Sequence, residues 1–141
     1  MLEKAIQKAA QAHEGQKDKA GQPYILHPLR VMLRTDNEIE RICAVLHDVI
    51  EDTPITLEML KDDGFPSEVL TVLEALTKRQ GESYEDFISR VLENETACRV
   101  KLADLADNMD LSRLQAPSEE DFQRVEKYKK AVARIKERLE S

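Results

Sequence analysis

Histidine and carboxylate side chains stand together in one apolar stretch of the chain. His47 and Asp48 lie among Val and Leu residues, and Glu51 and Asp52 follow within one helical turn. If the stretch is helical, His47 neighbours Glu51 and Asp48 neighbours Asp52, on adjacent stripes of the helix. Imidazole and carboxylate groups in this arrangement are typical of a metal site or of acid–base chemistry.

This stretch has no cation of its own. Neither Lys nor Arg occurs between Arg41 and Lys61, whereas four acidic residues do. A buried carboxylate needs a positively charged partner, and acids at the carboxyl end of a helix oppose its dipole. A divalent metal ion would supply the missing charge. The alternative for the dipeptide alone is a hydrogen-bonded core histidine whose ring is oriented by the neighbouring aspartate.

Two further segments carry candidate residues. Lys101, Asp104 and Asn108 follow one face of a predicted helix whose opposite stripe is apolar. Taken alone, this pattern favours a solvated face with a Lys101–Asp104 ion pair. His27 precedes a proline at a predicted helix start, where a lone histidine usually bonds to the backbone. His13 lies on an apolar stripe and is interpreted as structural.

Helices must position these residues, because apolar side chains recur at helical spacing and no useful period-2 stretch occurs. We predict an all-α fold of about eight short helices. The third predicted helix starts near Ile39 and ends near Asp52, with His47 and Asp48 in its middle. Its end is set by Pro54, which disfavours helix at the preceding residue. The predicted helix caps are Thr56, Ser67, Ser83 and Ser118.

Length and composition limit the function classes. The 141 residues predict one domain over 1–141. A net charge of −7 with only 4% aromatic residues argues against nucleic-acid binding. Without an apolar run near ~20 residues or a signal-peptide pattern, we expect a cytoplasmic protein with no membrane partner. Cys43 and Cys98 are predicted to be buried, reduced thiols. The sequence carries no signal for an oligomeric state.

Five short motifs follow one another along the chain. They are His13–Gln16, Gly21–Pro28, Leu46–Thr53, Leu76–Lys78 and Lys101–Asp104. In this order they resemble the hydrolase domain of RelA/SpoT-type enzymes, within the HD phosphohydrolase superfamily. Because the synthetase and regulatory domains of those enzymes have no room in 141 residues, the chain resembles a stand-alone small alarmone hydrolase.

The resemblance implies an HD-type helical bundle around one divalent ion, usually Mn²⁺. Matching motif positions imply that the ligands are His27, His47, Asp48 and Asp104. Such a mixed nitrogen and oxygen set suits manganese and tolerates zinc, cobalt or iron. The implied reaction removes pyrophosphate from the 3′ position of guanosine tetraphosphate or pentaphosphate, so the expected partner is a small nucleotide.

The resemblance also implies roles around the metal. Glu51 and Asp52 match a catalytic acid pair that would orient or deprotonate water. Asn108 matches a nucleotide-contacting position. Substrate phosphates need basic partners, for which Lys17 and Lys19 in the Gly15–Gly21 loop are the main candidates. Weaker candidates of the same kind are Arg30, Lys78 and Arg79.

Three departures affect the base-recognition residues. Asp18 stands where the resembled enzymes commonly carry an Arg that stacks on guanine, and Ala20 replaces a common Ser. Leu105–Asp107 replaces a common Arg-Leu-His. We therefore expect weak discrimination for guanine, and an adenine alarmone, another nucleotide or a phosphorylated cofactor such as NADPH stays open. A non-catalytic nucleotide-binding module is the third reading, disfavoured because the metal and acid residues are retained. We also expect Asp18→Arg to cost little stability.

Overall fold

The computed structural model describes all residues from Met1 to Ser141 and consists of nine α-helices without a β-sheet. The helices are α1 (Leu2–Ala12), α2 (Leu26–Leu33), α3 (Glu38–Leu46), α4 (Val49–Asp52), α5 (Leu57–Asp62), α6 (Ser67–Leu76), α7 (Tyr84–Val91), α8 (Glu95–Asn108) and α9 (Glu119–Glu140). The all-α prediction is confirmed. None of the nine helices combines the length and apolar character needed to span a membrane.

The third predicted helix is two helices in the structure. α3 ends at Leu46 and α4 begins at Val49, so the prediction of one continuous helix through His47 and Asp48 is wrong. In a regular helix the Ala44 carbonyl would accept from the Asp48 amide. Here it accepts instead from the His47 amide at 3.4 Å and from the His47 ring at 2.5 Å. The histidine side chain thus ends the helix locally.

The apolar core surrounds α3. Six of its nine residues are buried, and the helix packs against α1, α2, α6 and α8. The core comprises 25 buried apolar residues, mostly Ala, Val, Leu and Ile, as the low aromatic content requires. Cys43 and Cys98 are both buried, as predicted, and no disulfide joins them. α3 therefore fixes the depth at which the His47–Asp48 junction lies.

Side-chain caps start several helices where the sequence places them. Thr56, Ser83 and Ser118 each accept a hydrogen bond from the backbone amide three residues later. Ser118 and Asp121 form a complete capping box at the start of α9. The cap prediction for Ser67 is wrong, because Ser67 is the first residue of α6 and makes no side-chain cap bond.

Candidate metal centre

Three parts of the fold bring the four predicted ligands together: α2 carries His27, the α3–α4 junction carries His47 and Asp48, and α8 carries Asp104. The Nε2 atoms of His27 and His47 lie 2.9 and 3.0 Å from Asp104 Oδ1. Asp48 Oδ2 lies 3.6 and 3.2 Å from the same two nitrogens. Ligand atoms from His27, His47 and Asp104 all lie within 4.8 Å of one another, and all three residues are buried.

The second nitrogen of each imidazole is committed as a donor. His27 Nδ1 donates to Asp107 Oδ2 at 2.7 Å, and His47 Nδ1 donates to the Ala44 carbonyl at 2.5 Å. A neutral ring held in this way would present the lone pair of Nε2 to a metal ion, whereas a protonated ring donates Nε2–H to the carboxylates. Both Nε2 atoms face the carboxylate oxygens of Asp104 and Asp48, so a positive charge, either the ring protons or a metal ion, must lie between them. This donor set fits a divalent metal ion.

Neighbouring donors fix the orientation of the two carboxylates. Lys101 Nζ donates to Asp104 Oδ2 at 2.9 Å, and Asn108 Nδ2 donates to Asp104 Oδ1 at 3.1 Å. Tyr24 Oη donates to Asp48 Oδ2 at 2.5 Å. The expected Lys101–Asp104 pair exists, but the expectation of a solvated face is wrong. The Lys101 side chain is 12% exposed, and its ammonium lies 5.0 Å from the centroid of the Phe87 ring.

The electrostatics of the cluster favour positive charge between the carboxylates. Burial acts to lower the pKa of both imidazoles, but contacts with Asp104, together with Asp107 at His27 and Asp48 at His47, outweigh it and raise both values. Burial acts to raise the pKa of Asp104, yet Lys101 and the imidazoles hold it well below its usual range. The carboxylates thus stay ionised although they are buried.

The predicted acid pair lies beside this cluster on α4. The Glu51 carboxylate accepts a hydrogen bond from the Lys78 amide, and the Asp52 carbonyl accepts one from Gln16 Nε2 at 3.2 Å. Partial burial raises the pKa of both carboxyl groups, and the nearby charge of Asp48 adds to the effect. A raised carboxyl pKa suits a group that accepts a proton near neutral pH.

A cleft of about 400 Å³ opens next to His27, bounded by the loop before α2, the end of α8 and the start of α9. All three predicted substrate-binding residues line it, namely Lys17, Lys19 and Asn108. Lys17 is exposed and has no ion-pair partner, whereas Lys19 Nζ lies 3.2 Å from Asp121 Oδ1. Of the weaker basic candidates, Arg30 lines the cleft, and Lys78 and Arg79 do not.

Asp18 lines the cleft but also builds the loop that forms its wall. Its Oδ1 accepts hydrogen bonds from the amides of Ala20 and Gln22, each at 2.9 Å. This is the turn-stabilising role that Asp side chains take in loops. The expectation that Asp18→Arg costs little stability is therefore wrong, because the substitution removes both bonds.

Asp107, like Tyr24, is a residue of the site that sequence reasoning missed. Its side chain is 1% exposed, and it accepts from His27 Nδ1 and from Arg30 Nε, the latter at 2.8 Å. Although burial opposes ionisation, these two donors lower its pKa far below the ordinary value. The available signal was its position three residues after Asp104, which places both carboxylates on one side of α8.

Comparisons with known proteins identify the class of this fold. No protein-family model matches the chain. A solved metazoan ortholog of SpoT, described as hydrolysing ppGpp, superimposes with a TM-score of 0.77 at 24% identity. The match covers 95% of this chain and 84% of that one, so the two share a fold.

Relatives by sequence are longer proteins. The chain is 36% identical over 121 residues to a guanosine-3′,5′-bis(diphosphate) 3′-pyrophosphohydrolase of Aquifex aeolicus, over 77% of this chain and 17% of that protein. A protein of the same name from Haemophilus influenzae is 39% identical over 112 residues, covering 70% and 16%. The bifunctional (p)ppGpp synthase/hydrolase SpoT of Escherichia coli is 33% identical over 124 residues, covering 77% and 17%. The match thus spans about a sixth of these relatives. The chain belongs to the RelA/SpoT-type hydrolase domains of the HD superfamily.

Proposed function

We propose that residues 1–141 act as a metal-dependent phosphohydrolase domain that removes pyrophosphate from the 3′ position of guanosine tetraphosphate or pentaphosphate. One observation carries the proposal. Two buried imidazoles, each with Nδ1 committed to an oxygen acceptor, direct Nε2 to within 3.0 Å of the same Asp104 oxygen. The activity for which these relatives are named supplies the substrate class.

The metal ligands in this proposal are His27, His47, Asp48 and Asp104, and the ion is one Mn²⁺. A bound ion of this kind polarises a phosphoryl oxygen and lowers the pKa of water. Asp107 and Ala44 hold the imidazoles in the tautomer that exposes Nε2. Because these hydrogen bonds already fix both rings, the imidazoles need not reorient when the metal ion binds.

Glu51 and Asp52 are the catalytic acids. They lie on α4, which begins directly after the ligand Asp48, and partial burial together with the charge of Asp48 raises the pKa of both. We assign to them the orientation of the attacking water and the acceptance of its proton. The Lys78 amide holds the Glu51 carboxylate, so this side chain is positioned before substrate binds.

On the substrate side, Lys17, Lys19 and Asn108 form the wall of the cleft. The two lysines offset the negative charge of the phosphates. Asn108 also holds Asp104 at 3.1 Å, so it links the nucleotide position to the metal position. The cytoplasmic location and the lack of nucleic-acid or membrane partners stay predictions.

A second candidate substrate is an adenine alarmone or another phosphorylated nucleotide. It is favoured by Asp18, which uses its carboxylate within the loop and offers no cation to stack on guanine. The phosphate chemistry is the same for both candidates. Base selectivity alone separates them.

A screen of the purified protein with Mn²⁺ tests the proposal. The substrates are guanine and adenine alarmones, nucleoside triphosphates and NADPH, and the products are identified by chromatography. We expect release of pyrophosphate from the 3′ position of an alarmone, and no release by His47→Ala. No hydrolysis of any alarmone by protein shown to carry the metal would contradict the proposal. Hydrolysis of only the adenine compounds would favour the second candidate.

A further inference from the structure

Five basic side chains line the cleft beside His27: Lys17, Lys19, Arg30, Arg113 and Arg124. Most of their charge is used within the protein. Lys19 and Arg124 both pair with Asp121. Both share the single acceptor Asp121 Oδ1, which has no contact with the metal cluster, so a basic group tied to that cluster is sought among the other three.

Arg113 also uses both of its terminal nitrogens for hydrogen bonds within the protein. One terminal nitrogen donates to the Asp107 carbonyl at 3.1 Å, and the other donates to Asp110 at 3.3 Å. Lys17 is free, but it is exposed and nothing fixes its position. A flexible ammonium of this kind gives attraction without a defined geometry.

Arg30 is both anchored and available. Its Nε donates to Asp107 Oδ1 at 2.8 Å, and this is its one side-chain hydrogen bond. Both terminal nitrogens, with four N–H groups, therefore remain for a ligand. The side chain is 29% exposed and lies along the cleft. A guanidinium held by Nε alone presents its two terminal nitrogens as a fixed fork.

Asp107, the residue that anchors Arg30, also holds one of the predicted metal ligands. Asp107 uses one oxygen for Arg30 Nε and the other for His27 Nδ1. Its side chain is 1% exposed, so this carboxylate cannot turn to water. The distance between the cationic fork and the candidate metal ligand is thus fixed by one buried group.

We propose that Arg30 binds a diphosphate group of the substrate and that Asp107 is the positioning residue that holds it in the cleft. The inference rests on the proposed function for its substrate, a nucleotide with more than one diphosphate. A guanidinium fork matches two oxygens of a phosphate group, which gives geometry as well as charge. Arg30 therefore determines where the diphosphate lies relative to His27.

The test uses inorganic pyrophosphate as the probe and the full chain as the protein. Binding is measured by isothermal titration calorimetry after metal removal with EDTA and dialysis, so that no ion exchanges between protein and probe. We expect the wild type to bind and Arg30→Ala to bind at least tenfold more weakly, since hydrogen bonds between charged groups are strong. Arg30→Lys keeps the charge and loses the fork, so it should recover only part of the affinity.

Two controls separate Arg30 from general charge. Arg34→Ala removes the same charge one helical turn later, at the end of α2 and outside the cleft lining. Arg113→Ala removes a guanidinium inside the cleft whose two terminal nitrogens each already donate within the protein, and one of which also lies 3.5 Å from Asp107 Oδ2. Both should change the pyrophosphate affinity by less than about threefold.

The role of Asp107 is tested by a double-mutant cycle. In Asp107→Asn the side-chain oxygen can still accept from His27 Nδ1, but the neutral amide cannot also hold the guanidinium with a charged bond. Asp107→Asn should weaken pyrophosphate binding in the wild type and have little further effect in Arg30→Ala. A merely structural role would weaken binding equally in both backgrounds.

Equal losses in Arg30→Ala and Arg113→Ala, or no measurable binding by the wild type, would overturn the inference. The proposed function fails separately. If Arg30 governs pyrophosphate binding but no alarmone is hydrolysed in the Mn²⁺ screen, the inference stands and the function is wrong. If alarmones are hydrolysed with an unchanged KM in Arg30→Ala and pyrophosphate binding is also unchanged, the function stands and the inference is wrong.

Discussion

Two polar networks lie at least partly buried in this protein, and they differ in how their donors and acceptors match. Around Arg90, donors and acceptors pair off. Arg90 Nε and one terminal nitrogen hold the two Glu82 oxygens at 2.6 and 2.8 Å. The terminal nitrogens also donate to the carbonyls of Thr77 and Glu74, at 2.8 and 3.2 Å. This network is complete and needs no other partner.

The network of His27, His47, Asp48 and Asp104 is not complete in this sense. Both Nδ1 atoms have acceptors, so each Nε2 can face a carboxylate oxygen only if the ring carries a second proton or a metal ion lies between the two atoms. The outer members donate inward, as Tyr24 and Lys101 do. The centre of the cluster is therefore suited to bind a cation. The Arg90 network, in contrast, contributes only stability.

The largest effect is expected from a substitution that breaks the incomplete network. His47→Ala removes one of two imidazoles and leaves three ligands, so we expect metal content to fall from about one ion per chain to near zero. Hydrolysis should be lost with it. Metal analysis after dialysis measures the content, and Arg90→Ala serves as a control that should keep its ion. A His47→Ala protein that retains one ion per chain would contradict the ligand assignment.

A second substitution, with a smaller expected effect, distinguishes catalysis from metal binding within the same region. Glu51→Gln keeps an oxygen to accept from the Lys78 amide but cannot take a proton. We expect turnover to fall by about 10²–10⁴-fold, the usual loss for a general base, while metal content stays unchanged. The rate and the metal content are measured on the same sample. Loss of the ion would instead make Glu51 a ligand.

The contrast between the two networks also shows which structural features can be predicted from the sequence. The helical class follows from apolar spacing alone, and the concentration of polar residues near His47 follows from charge counting along the chain. The break between α3 and α4 does not, because it depends on the ring of His47 bonding to the Ala44 carbonyl. Local periodicity carries no information about that competition.

Contacts between helices that are distant in the sequence explain why other features of the site were not predicted. Asp107 reaches His27 and Arg30 across 80 and 77 residues of chain, and Tyr24 reaches Asp48 across 24. Lys101 looks solvated on a helical projection, yet packing of α7 against α8 covers it with Phe87. Which polar residue meets which is set by helix packing, and one sequence alone does not determine it.

The next prediction disturbs the complete network instead. Arg90→Ala removes four hydrogen bonds and leaves the partly buried Glu82 carboxylate without its cation. We expect the melting temperature to fall by a few degrees, with metal content and KM unchanged. Calorimetry and metal analysis measure the two properties. Coupled loss of the ion would show that the two networks are not independent.

The smallest expected effect concerns the pH dependence of the complete network. The Arg90 guanidinium, together with the Arg79 amide, lowers the pKa of Glu82 from 4.5 to about 2. Because the folded value is depressed, the stabilisation by this pair is full above pH 4.5, decreases as the pH falls and is gone below about pH 2. Glu82→Gln lacks the charge at every pH. We therefore expect the difference in unfolding midpoint between wild type and Glu82→Gln, measured in urea, to be constant from pH 7 to 5 and to shrink below pH 4.5. A difference that stays constant down to pH 2 would mean that hydrogen-bond shape, and not the ionised carboxylate, holds Arg90.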